Sequence, residues 1–306
     1  MTPLGDRLYG GAIAACAAAI PLLLLLIGMV LVTEAWPALR DTGLELVGGR
    51  IWDVGRSRFG ALPAVVGTLV SSAIALAIAA PLAIGVSIVI SELAPDGVRA
   101  PLAFFVDLLA AIPSVVYGLW GLFVLVPFLR AQLMPFLGDT LGLGALPLFR
   151  GPAYGPSLLA AGLVLAIMIL PYIAAVGREV LAAVPRSQRE AALALGATRW
   201  EMIRDAVLPN ARSGLVGGIM LGLGRALGET MAVTMVIGNR HDLPTSLFDP
   251  AYTMAALLAN EFAEASSEAH LSALMAVALL LLGVTVAVNV LARLLVARVG
   301  RGAVRA

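Results

Sequence analysis

The sequence predicts an all-α, polytopic membrane protein with six transmembrane helices, and three observations carry that reading. Of 306 residues, 60% are hydrophobic and only 13% are charged, about half the charged share of an ordinary soluble domain. Mean hydropathy is +0.98, so a bilayer suits this composition better than water does. Six stretches, near 10–33, 62–91, 102–127, 156–177, 213–239 and 272–292, each supply the roughly 20 apolar residues that a helix needs to cross a membrane. Together they form one transmembrane domain spanning 1–306.

The first stretch follows Arg7 and exceeds the roughly 7–15 apolar residues of a signal-peptide core, so it is expected to persist as a span. In the second, no charge interrupts the 33 residues between Arg58 and Glu92. A straight helix of that length measures roughly 50 Å, against a hydrocarbon core of ~30 Å. Pro81 is expected to kink it, or one end to lie in the interface. The third stretch carries Asp107, read as a polar contact between helices near the inner face. Residues 131–147 are rich in Gly, Leu and Pro and fit an interfacial or re-entrant segment; periodicity does not decide.

Six spans place both termini on one side, and arginine says which side, because cytoplasmic loops accumulate positive charge. With the termini inside, Arg7, Arg99, six arginines from 178 to 212, Arg293, Arg298, Arg301 and Arg305 make twelve cytoplasmic charges. The other face holds seven: Arg40, Arg50, Arg56, Arg58, Arg130, Arg150 and Arg240. Both termini are therefore expected in the cytoplasm.

All 20 basic residues are arginine. A Walker A loop requires lysine to reach the β- and γ-phosphates, so any ATPase must be a separate polypeptide. Net charge is +1, and no basic block interleaved with aromatics marks a nucleic-acid footprint. Cys16 is the only cysteine, which excludes an intrachain disulfide and a thiolate metal cluster. His241 and His270, near Asp242, Asp249, Glu261, Glu264 and Glu268, match no metal-ligand spacing and read as a solvated loop face. A membrane-embedded enzyme needs clustered carboxylates or histidines at membrane depth, where only Arg225, Glu229 and Asp107 stand. No catalytic residue, metal site or cofactor is assigned to this chain.

The longest inner connection, 178–212, contains two capping-box patterns, Ser187 with Glu190 and Thr198 with Glu201. Gly196 sits between them as a C-cap, and Trp200, Ile203 and Val207 recur at helical spacing until Pro209 is expected to end the element. A helix-turn-helix of this kind either docks a partner protein or lies on the membrane surface. The run Glu190-Ala191-Ala192, then Gly196, Leu208 and Pro209 resembles the EAA loop of ABC importer permeases. Ala206 departs from the family's usual isoleucine. The resemblance implies a MetI-like fold in which Glu190, Ala191, Ala192, Gly196, Leu208 and Pro209 belong to a coupling helix seated on the ATPase.

In the fifth stretch Gly214, Gly218, Gly222, Arg225 and Glu229 fall within roughly an 80° stripe at 100° per residue. Intramembrane charge costs about 2.5–3.5 kcal/mol on insertion scales and normally faces a bundle interior or a wet cavity. Arg225 and Glu229 either neutralise each other structurally or line a pathway, and a guanidinium fork suits a tetrahedral oxyanion. The run from Gly222 to Ala232 is similar to the PstC-type phosphate importer permeases, as are Phe59–Pro95, Asp107–Gly118 and Arg178–Pro209.

That resemblance implies a multi-pass subunit in a prokaryotic cell membrane that moves inorganic phosphate by alternating access, with Arg225 and Glu229 in the pathway. It further implies a PstA-type sister permease, two PstB-type ATPases that use ATP and Mg, and a PstS-type extracytoplasmic binding protein. Molybdate and sulfate share phosphate's tetrahedral geometry and are the alternative cargoes. An ion-coupled carrier would need no ATPase dock, and the EAA-like loop argues against it.

Overall fold

In a computed structural model, residues 4–43 and 45–301 are described. Arg305, counted above with the inner charges, and the side chains of Arg7, Arg298 and Arg301 lie outside the described residues. Six helices among the described residues are long and apolar enough to cross a membrane.

Helix α1 (Leu4–Thr42) leads to a short antiparallel hairpin of β1 (Trp52–Asp53) and β2 (Arg58–Phe59). Helix α2 (Leu62–Leu93) runs through Pro81 and closes in a wide π-turn over Val89–Leu93. Helix α3 (Asp96–Ala111) is followed by α4 (Ser114–Thr140), α5 (Leu158–Ala182) and the short α6 (Arg186–Ala194). Helix α7 (Arg199–Leu227) stops before α8 (Met231–Val236); α9 (Met254–Glu261) and α10 (Glu268–Arg301) complete the chain. The bundle end carrying α6 is the loop end, and the end carrying the hairpin and α9 is the cap end.

α5 is the axis, packing against α2, α3, α7 and α8. Its partner α2 presents Gly67, Ser71, Ala75, Ala79, Ala83 and Ser87 as one buried strip of small residues at four-residue spacing, which lets two backbones approach closely. Gly162 and Gly177 of α5 meet Ile74 and Ser87 of α2. The Ser87 hydroxyl reaches Ala174 O at 3.0 Å and fastens the two helices. α1, by contrast, leans mainly on α10. Pro37 removes one helix donor, and Ser272 enters there, donating to Glu34 O at 2.8 Å and accepting from Ala38 N at 3.0 Å.

Three expectations from the sequence change. The stretch 102–127 is two helices, because Ile112 precedes Pro113 and is held extended at ψ 129°. The stretch 213–239 is interrupted at residues 228–230. Pro209 does not end its helix: a π-turn at Met202–Val207 widens the preceding turn, and Asn210 Nδ2 donates to the Ala206 carbonyl at 2.7 Å. In 131–147, helix continues to Thr140 before Gly142 turns the chain at φ 66°.

Candidate functional site

The centre of the molecule is built from two interrupted helices laid against α5. Gly214, Gly218 and Gly222 of α7 face α5, where an added Cβ would lie 2.5 Å from Val180, 3.1 Å from Val176 and 2.7 Å from Ile173. The glycine stripe is therefore a close helix contact. One turn further along the same face, the Arg225 guanidinium lies over the Tyr172 ring, 4.3 Å from its centroid. Such a cation–π contact contributes about 0.5–1 kcal/mol exposed and about 2 when desolvated.

Tyr172 is held in turn. Its hydroxyl donates to Ala110 O at 2.7 Å, and the Tyr117 hydroxyl donates to Leu109 O at 2.8 Å. Both acceptors belong to the last turn of α3, where the Pro113 break removes the usual i+4 donors and leaves Leu109 O only a tighter bond from Ile112 N at 3.3 Å. The break in α3–α4 thus positions the ring that carries Arg225.

Glu229 lies within the second break. Its side chain turns to the start of α8, where Oε1 accepts from Ala232 N at 3.2 Å, a carboxylate satisfying free N–H groups at a helix N-terminus. No ion pair joins Arg225 to Glu229 among the described residues, and Arg225 Nε is buried without a hydrogen-bond partner. The i,i+4 geometry assumed from the sequence fails because Gly228 to Thr230 is not helical. The structural-neutralisation reading loses its basis with it. Past the breaks the two fragments pack on each other, with Gly118 of α4 against Ala232 and Met235 of α8.

At the loop end, α6 closes in a Schellman arrangement: Gly196 N donates to Leu193 O at 3.0 Å, Ala197 N to Ala192 O at 3.2 Å, and Gly196 takes φ +87°. The Thr198–Glu201 capping box forms, with Thr198 N donating to the Glu201 carboxylate at 2.8 Å. The Ser187–Glu190 box does not, because α6 starts two residues earlier than that box requires, on Pro185 as N-cap. Glu190 and Ala191 are exposed, Ala192 is half-buried, Gly196 is exposed, and Leu208 packs into a core of Leu181, Ile203, Val207 and Leu215. Pro209 stays inside α7. The apolar stripe divides: Ile203 and Val207 are buried, whereas Trp200 and Leu195 are exposed at 58% and 90%. Nothing local in the sequence marks Tyr172, or Arg189 beside Glu190, as functional.

The cap end corrects the solvated-loop reading of the histidines. Glu261 accepts from Trp52 Nε1 at 2.8 Å and lies 2.9 Å from His270 Nε2 and 3.1 Å from His241 Nε2. His270 is buried against Phe59, and His241 stacks on Trp52. Burial pushes the Glu261 carboxyl up, but hydrogen bonds from His241, Trp52 and His270 outweigh it and hold the group below its ordinary value. Among the described residues, no group of three or more His, Cys, Asp or Glu is arranged to hold a metal ion.

Six apolar helices around a charged, interrupted centre, with a protruding helix-turn-helix between the fourth and fifth, define a membrane transport permease. The chain belongs to the binding-protein-dependent transport system inner membrane component family, which matches residues 83–301, and within it to the PstC phosphate transport system permeases. It is 46% identical over 287 residues to the PstC permease of Mesorhizobium japonicum, covering 92% of this chain and 88% of that one. It is 44% identical to that of Haemophilus influenzae, covering 96% and 93%. Among solved structures, a bacterial alginate ABC transporter superimposes with a TM-score of 0.61 at 16% identity over 97% of both chains. The inward-facing MetNI methionine ABC transporter gives 0.54 at 18% identity over 78% of this chain and 94% of that one. These two likenesses show the fold. The chain is a multi-pass inner membrane protein of the ABC permease class.

Proposed function

We propose that this chain is a channel-forming subunit of an ABC importer that carries inorganic phosphate into a prokaryotic cell. The observation that carries the reading is Arg225: a guanidinium braced from one side by Tyr172, with a buried free Nε and no carboxylate paired to it. A fork with unused donors suits a tetrahedral oxyanion, and the PstC relatives are phosphate permeases by name. Glu229, in the break that follows Arg225's helix and turned to α8, limits how tightly the anion is held. Transport requires binding weak enough for release.

The chain hydrolyses no ATP. Two partner ATPases, with ATP and Mg, dock at the loop end, where Glu190, Leu195 and Trp200 are exposed around the turn at Gly196. A sister permease completes the pathway and an extracytoplasmic binding protein delivers phosphate to the cap end. That arrangement places both termini in the cytoplasm, with twelve of the 20 arginines.

Radiolabelled phosphate uptake in cells lacking their own high-affinity phosphate permease, supplied with this chain and its partners, tests the reading. ATP-dependent uptake that Arg225→Gln abolishes at equal membrane abundance is the expected result. Transport of molybdate or sulfate in place of phosphate overturns the cargo, and unchanged uptake in Arg225→Gln overturns the role of Arg225. Uptake by this chain alone in vesicles overturns the ABC mechanism in favour of ion coupling.

A further inference from the structure

Helix α6 has a weak hold on the bundle. None of its residues is fully buried, and Ala192, partly buried, packs against the core beneath it. What fixes it is Arg189. Its Nε donates to Glu92 Oε2 at 3.1 Å and its Nη2 to Glu92 Oε1 at 2.7 Å, a two-bond fork onto one carboxylate. The same guanidinium donates from Nη2 to Leu181 O at 2.8 Å and from Nη1 to Val184 O. Leu181 lies in the last turn of α5 and Val184 in the link just past its C-cap, and Glu92 lies in the last turn of α2. One side chain therefore joins three elements: the docking helix, the end of the second span and the end of the central span.

The joint is sheltered, with the Glu92 side chain 5% exposed and that of Arg189 18%. A flat guanidinium bonded through two edges fixes direction as well as distance, which a lysine ammonium does not. A carboxylate this buried does not tolerate losing its partner. Beyond the joint, α2 and α5 are packed through small residues along their length, and α5 carries the Tyr172 ring under Arg225. A rotation of α6 is thus imposed on the two helices that hold the centre.

We infer that the Arg189–Glu92 fork is the joint through which movement of α6 reaches α2 and α5, making both residues positioning residues for transport. The inference rests on the reading of α6 as the ATPase-docking helix. It requires that cutting the fork uncouple ATP hydrolysis from transport, whereas a merely structural pair would lower both together.

The test uses the assembled complex in proteoliposomes with its binding protein, measuring ATP hydrolysis and phosphate uptake on the same sample for Glu92→Gln, Arg189→Gln and the double variant. Uptake per ATP hydrolysed is expected to fall at least about tenfold in each single variant while hydrolysis continues. The double variant should be no worse than the poorer single, because both cut one joint. A constant ratio of uptake to hydrolysis, or losses that multiply in the double variant, overturns the inference. Glu92→Asp, which keeps the charge but shortens the reach, should show the same uncoupling to a lesser degree if Glu92→Gln assembles poorly. Should the wild-type complex move no phosphate, the cargo reading fails separately. Amide hydrogen exchange over 186–194 in the assembled complex then reads the joint: Glu92→Gln should accelerate it at least about tenfold, and unchanged protection overturns the inference.

Discussion

The two ends of the molecule and its middle treat charge in opposite ways. At the loop end Glu92 is enclosed by Arg189, and at the cap end Glu261 is enclosed by Trp52, His241 and His270. Each carboxylate gathers donors from segments distant in sequence and ties them together. In the middle, Arg225 and Glu229 are four residues apart yet unpaired, because Gly228 to Thr230 interrupts the helix that would have brought them together. Satisfied charge holds elements in place. Of these charges, Arg225, left with a buried free donor and no carboxylate, is the one able to meet an anion.

If that division is right, the largest loss follows from altering the unpaired charge without removing it. Arg225→Lys keeps the charge but replaces the planar fork and its stacking on Tyr172 with a point charge. Phosphate uptake by the assembled transporter should fall by about tenfold or more, with thermal stability little changed. Uptake near wild type would mean that charge alone suffices and that the fork is incidental. At the cap end the balance should reverse. Glu261→Gln removes charge-assisted hydrogen bonds that contribute about 1.5–3 kcal/mol, so the thermal midpoint of the purified protein should drop clearly. The effect should also depend on pH. Because the Glu261 carboxyl is held below its ordinary 4.5, its stabilisation is complete above that pH and fades as pH falls through the depressed value. Thermal unfolding followed from neutral pH into the acid range should show that decline in the wild type and not in Glu261→Gln. An equal acid slope in both proteins would place the sensitivity elsewhere.

The sequence exposes these regions unequally. Long apolar runs identify the spans, because length and hydropathy are properties of contiguous residues, and the Thr198–Glu201 cap and the Gly196 turn were legible for the same reason. The interruption at Pro113 was legible in principle, since a residue before proline is pushed out of the helical region. The break at 228–230 carries no proline, and an unbroken helical stripe concealed it. The joints were out of reach: Trp52 and Glu261 are 209 residues apart and Glu92 and Arg189 are 97 apart. Only the fold brings His241 and His270 onto one carboxylate. Tyr172 was hidden for a different reason, because an aromatic in an apolar span has nothing local to set it apart until Arg225 is found over its ring.

Tyr172 also supplies the smallest and most discriminating test, because it belongs to both sides of the division. Its hydroxyl closes a structural bond to Ala110 O, and its ring faces Arg225. Tyr172→Phe removes only the bond, worth about 0.5–1.5 kcal/mol, and leaves a ring under the guanidinium. Stability should fall by about that amount while phosphate uptake changes by no more than a few-fold. Tyr172→Leu removes the ring as well, so the additional loss relative to Tyr172→Phe measures what the cation–π contact contributes to holding Arg225. That further loss should appear mainly as a weaker apparent affinity for phosphate in the uptake assay. If the two variants transport alike, the ring is packing and Arg225 is positioned by something else. If Tyr172→Phe alone stops transport, the bond to the broken end of α3 matters more than the ring, and the centre is held by its interrupted helix.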